Sequence, residues 1–113
     1  MTMSIDNLNY DPGDDIYYTS GFHDFFMSYY LYFMDPINNL ISVTTIEPGI
    51  ALKYTGDFIG LLNYLKLPPQ YHWCTMVVNG LKSPTEMNVS LTQIFLPDTN
   101  ELEVLKNLYE SQG

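Results

Sequence analysis

Two histidines, one cysteine, one tryptophan and an adjacent pair of aspartates are the residues of this chain whose chemistry goes beyond packing. His23 stands beside Asp24, and His72 beside Trp73. A metal site or an acid/base pair needs converging side chains, whereas neighbours along a helix project in different directions. Both histidines are therefore expected to be structural. Cys74 lies in an apolar run without an adjacent Lys or a second Cys, which suits a buried, inert thiol. A single thiol makes neither an intrachain disulfide nor a Cys-based metal site. Asp14-Asp15 has the composition of a carboxylate pair for metal or glycoside chemistry, but adjacent acids in a polar Pro-Gly context are expected to be solvated charge. Trp73 has the ring to stack on a sugar, although packing at a helix junction is the stronger expectation. No nucleophile elbow, phosphate-binding glycine loop or HExxH motif is present. The expectation is a non-enzyme with no catalytic residues, no metal and no cofactor.

The elements that must position these side chains follow from periodicity. Residues 1–19 contain Asp6, Asp11, Asp14, Asp15 and a Pro12-Gly13 turn signal, with no sustained period, and read as an extended acidic arm. From Ser20, the residues Phe22, Phe25, Phe26, Tyr29, Tyr30 and Phe33 recur at helical spacing until Asp35-Pro36 stops the helix. Met27, Leu31, Tyr32 and Met34 fill its other faces, so it is expected to be buried on more than one side. Residues 41–46 alternate and are rich in β-branched side chains, as in a half-buried strand. Pro48-Gly49 fits a type II turn, which makes residues 50–54 a second strand in a hairpin. Asp57 is placed to cap a helix through Phe58, Leu61, Leu62 and Leu65, ended by Pro68-Pro69. A second helix over residues 70–78 ends at Asn79-Gly80. Leu91 to Leu96 reads as a short strand closed by Pro97. Asp98 and Glu101 then have capping-box spacing before a last helix with Leu102, Leu105 and Tyr109 on one face.

Composition limits the partners. The net charge is −9, from thirteen acids against four Lys and no Arg. Nucleic-acid binding needs clustered cations and is excluded, and an anionic membrane surface is disfavoured for the same reason. No apolar stretch approaches the roughly 20 residues of a membrane-spanning helix, and residues 1–10 carry no secretory signal pattern, so a soluble protein is expected. Residues 1–47 hold seven acids and no Lys, which favours a basic neighbour. Hydrophobic residues make up 46% of the chain, with ten Tyr, six Phe and six Met. That is much apolar surface for a small domain, and it is rich in the residue types that protein interfaces favour.

Tyr54-Thr55-Gly56-Asp57-Phe58-Ile59-Gly60-Leu61-Leu62, then Trp73 through Asn79-Gly80-Leu81, Pro84, and Leu91-Thr92-Gln93-Ile94-Phe95-Leu96-Pro97 together resemble one LysM repeat. Taking Glu47-Pro48-Gly49 as the family's turn instead would start the next helix within residues 50–55, a β-like stretch, so the Gly56 alignment is preferred. The resemblance implies a LysM-like βααβ module; joined to the N-terminal acidic arm, the apolar N-terminal helix and the short C-terminal helix read from the residues, it gives an expected α+β fold. The corresponding divisions are the arm at 1–19, the apolar helix and linker at 20–40, the LysM-like domain at 41–97, and the C-terminal helical tail at 98–113. The Tyr71-His72-Trp73 start of the second helix is similar to LysM-like modules of bacteriophage tail proteins, including baseplate wedge subunits. The function this implies is a structural subunit of the virion tail baseplate, made in the host cytoplasm, whose partners are other tail and baseplate subunits. Phe22, Phe25, Phe26, Tyr29, Tyr30 and Phe33 are the expected interface. A peptidoglycan-binding module is the first alternative, with a groove between Gly56, Asp57, Phe58 and Asn79, Gly80, Leu81, Lys82. A small acidic inhibitor of a host protein is the second.

Overall fold

The computed structural model describes residues 16–112. The expectations for Asp6, Asp11, Pro12-Gly13, Asp14 and Asp15 lie outside the described residues. Residues 16–19 are not an extended arm: Ile16–Tyr18 forms a 3-10 turn and Tyr17 is fully buried. Its ring meets Phe22 and Tyr71 edge-on at 5.3 and 5.4 Å, so burial of an aromatic body overrides the polar character of the preceding sequence.

The expected apolar helix is two helices, α1 (Ser20–Ser28) and α2 (Tyr30–Met34). Thr19 caps α1 by accepting the Phe22 N–H, which satisfies one of the donors a helix start leaves open. The break falls at Tyr29, whose φ of −104° and ψ of 8° leave the helical basin and whose N–H donates to the Phe26 carbonyl at 2.9 Å. Re-aiming the chain there brings Phe33 onto Phe26, with ring centroids 5.6 Å apart. The two helices thus bury Phe22, Phe26 and Phe33 inside their own domain, while Leu31 remains 81% exposed.

β1 (Ile41–Thr45) forms where alternation and β-branching predict it. The next segment departs from expectation, because residues 50–54 are not a strand: Pro48–Lys53 is a helix, α3. Pro48 occupies the first turn, where a missing N–H costs nothing, and Ala51 is buried while Leu52 is 65% exposed. A strand would put Leu52 on the same face as Ile50 and Tyr54, both of which pack against the core. Both the Pro48-Gly49 turn and the hairpin are therefore absent, and the chain passes from the first strand directly into α3, with Glu47 at the N-cap position.

α4 (Phe58–Tyr64) starts at Asp57, whose carboxylate accepts the Gly60 N–H at 2.9 Å. It ends with Lys66 in the left-handed region at φ 65°, donating to Asn63 while Leu67 reaches back to Leu62. A 3-10 turn at Pro69–Tyr71 leads into α5 (His72–Val78). Gly80, at φ 76°, closes α5 by donating to Val77, and Leu81 donates to Met76. Both ends satisfy orphan carbonyls by the same paired pattern. β2 (Gln93–Pro97) runs antiparallel to β1 with Val43 opposite Phe95, and α6 (Thr99–Gln112) follows. Asp98 caps α6 through the N–H groups of Asn100 and Glu101.

The class is α+β, helices with one small two-stranded sheet. Two apolar clusters flank α5. Tyr71, Cys74 and Val78 face one that contains Phe22, Phe26, Phe33, Leu102 and Leu105; Met76 faces the other, with Ala51, Phe58, Leu61, Leu62 and Ile94. Trp73 and Leu67 touch both. The C-terminal helix is consequently part of the core and not an appended tail.

Candidate functional site

The sequence pointed to two surfaces, and the structure fuses part of each into one cleft. Its walls are Met27 and Tyr30 from the α1–α2 corner, Trp73, Met76 and Val77 from α5, and Gly80, Leu81 and Lys82 from the turn after it, enclosing about 400 Å³. α5 supplies its wall because residues 73, 76, 77 and 80 share a face at three- and four-residue spacing. The break at Tyr29 supplies the opposite wall by turning Tyr30 away from the line of α1. The lining is mostly apolar, and the Lys82 ammonium forms no ion pair among the described residues.

Of the six expected interface residues, Phe22, Phe26 and Phe33 are sealed in the core and present nothing to a partner. Phe25 and Tyr29 are half-buried against the same cluster. Tyr30 alone lines the cleft, and the exposed apolar residues beside it are Met27, Leu31 and Tyr32. Of the expected groove, Gly80, Leu81 and Lys82 line the cleft, but Gly56, Asp57 and Phe58 do not. Phe58 is fully buried, Asp57 is occupied as a cap, and the Gly56 N–H donates to the Met87 carbonyl. Asn79 is engaged structurally. Its carboxamide donates to the carbonyls of Thr75 and Phe95 and accepts the Phe95 N–H, all within 2.8 Å.

The chemistry-bearing side chains are used for support. A carbonyl only accepts, so His23 donates through Nε2 to Tyr17, and buried His72 donates through Nε2 to Leu67, each at 2.9 Å. The His23 ring lies flat on Trp73 at 3.6 Å and 2°, supporting the indole that lines the α5 wall of the cleft. Burial pushes the Cys74 thiol up to about 12, so no thiolate forms at neutral pH. Among the described residues no cluster of three His, Cys, Asp or Glu is placed to hold a metal ion, and no helix is long and apolar enough to cross a membrane. The spacing of Trp73 with Val77 and of Met76 with Gly80 was the available signal for this face. The contribution of Met27 had no local signal, since it depends on the break at Tyr29.

Compared with known protein families, curated proteins and solved structures, the chain matches none.

Proposed function

We propose that the protein is a non-enzymatic assembly subunit that docks a neighbouring protein in the cleft between α1–α2 and α5, in the setting of a bacteriophage tail baseplate. The observation that carries this is the lining itself: Met27, Tyr30, Trp73 and Leu81 form an open apolar trough, and Lys82 beside them has no ion-pair partner among the described residues. Such a surface suits an apolar side chain of a partner, with an acidic group reaching Lys82. A docking role also fits the use of both histidines and Cys74 as structural groups. The tail setting rests on the likeness to LysM-like tail modules. In its support, helices intervene between two antiparallel strands, and an Asn-Gly-hydrophobic sequence ends the last helix before the closing strand. The module would then begin at Ile41 and carry α3 as an extra helix, in a βαααβ order. A glycan groove has less support, because Phe58 and Asp57 are committed within the fold.

Met27→Glu places a charge in the trough at a residue already 48% exposed, so the fold should tolerate it. Capture of baseplate proteins by the variant should fall about tenfold or more, with the melting temperature unchanged. Undiminished capture with an intact fold would refute docking at this cleft.

A further inference from the structure

The two edges of the sheet differ. The outer edge of β2 is closed by Asn79, whose carboxamide engages both the N–H and the carbonyl of Phe95 as an adjacent strand would. Phe95 therefore points its backbone polar groups away from β1. The ladder is carried by even-numbered residues of β1, as the flanking bonds from Ile46 to Thr92 and from Asp98 to Leu40 show. It follows that Ile41, Val43 and Thr45 turn their N–H and carbonyl groups to the outer edge. Among the described residues nothing pairs with them. An open edge is ordinarily protected by Lys, Pro, a bulge or an inward charge. β1, Ile-Ser-Val-Thr-Thr, has none of these and forms a regular register along its whole length.

We propose that β1 pairs antiparallel with β1 of a second copy of this chain, across a two-fold axis at Val43, making a continuous four-stranded sheet. This surface is distinct from the docking cleft. The occupant is a second copy because the edge is self-complementary. In the two-fold register Val43 meets Val43, Ile41 meets Thr45, and Glu47 falls opposite Asn39, so no acid faces an acid. At a net charge of −9 two copies repel across most surfaces, and β1 carries none of the thirteen acids. Val43 is also directly opposite Phe95 on the outer face, where the two are 54% and 37% exposed. Pairing would set Phe95, Val43, Val43 and Phe95 in one apolar row across both copies, the side-chain contact that stabilises sheets.

Sedimentation equilibrium of the full chain should show a dimer. Val43→Lys and Val43→Glu, folded by circular dichroism, should each weaken it about tenfold or more, because like charges directly opposite repel. An equimolar mixture of the two variants should dimerise again. A second variant, Val43→Cys, places thiols at a separation a disulfide can span and should oxidise to a covalent dimer faster than Leu52→Cys at another exposed site. A wild-type chain that stays monomeric to its solubility limit overturns the proposal. So does either charged variant dimerising as the wild type does, a mixture that stays monomeric, or equal oxidation of the two cysteine variants.

Discussion

Replacing Phe26 with alanine should lower stability by about 3–5 kcal/mol, the usual cost of removing a core phenylalanine. The ring is fully buried and touches Phe22, Phe33 and Trp73, with centroids 6.5, 5.6 and 5.9 Å away. It joins the α1–α2 corner to α5, so the cavity cannot close without moving the cleft walls. For a chain of this size the melting temperature should drop by roughly 12–20 °C at about 4 °C per kcal/mol. Leu31→Ala, at the most exposed position of the same apolar segment, should change stability by no more than about 0.5 kcal/mol. Thermal unfolding of the two variants separates a helix that holds its own domain together from one that serves only a partner. Equal effects would contradict the burial pattern.

Glu103→Ala should cost about 1–3 kcal/mol, because the fully buried Tyr17 phenol donates to this carboxylate. One carboxylate oxygen accepts from Tyr17 at 2.6 Å and from Tyr71 at 2.7 Å, while Lys106 lies 3.4 Å from the other. Partial burial pushes the Glu103 carboxyl up, but the two phenol donors and Lys106 outweigh it and hold the group below the usual value near 4.5. Burial and the adjacent carboxylate push the Tyr17 phenol up, so it stays a donor throughout. A depressed carboxyl stabilises the fold above its unfolded value, and that contribution is lost as pH falls through the lower folded value. Glu103→Gln keeps the shape without the charge. The stability gap between wild type and Glu103→Gln should be full at neutral pH and shrink as pH drops below about 4.5. A gap independent of pH, measured by denaturant titration, would show that the carboxylate charge contributes nothing.

The helix starts were legible because their chemistry is local. Asp57 and Asp98 each accept N–H groups two or three residues onward, as the sequence spacing implied, and Thr19 does the same at a position assigned to the arm. Gly80 was legible for the same reason, as the one residue type that enters the left-handed region without strain. Residues 50–54 were misread because Ile50, Leu52 and Tyr54 alternate like a strand. The contact that decides for a helix is burial of Ala51 against the cluster containing Phe58 and Ile94, which is tertiary and leaves no local trace. The break at Tyr29 was equally hidden, since neither Pro nor Gly marks it, and it decided which apolar residues are sealed and which are free. Tyr17 was lost to the acidic context, although the apolar run Ile16-Tyr17-Tyr18 directly before the Thr19 cap was a usable signal. The cleft was therefore half visible: its α5 wall followed from spacing, while the wall from Met27 and Tyr30 required the fold.

Whether the protein is an assembly subunit is tested most directly by quantitative mass spectrometry of purified phage particles beside the infected-cell lysate. The account predicts the chain in the particles, at a fixed ratio to the other baseplate proteins. Its abundance in the lysate together with absence from the particles would contradict the account and favour the acidic inhibitor instead.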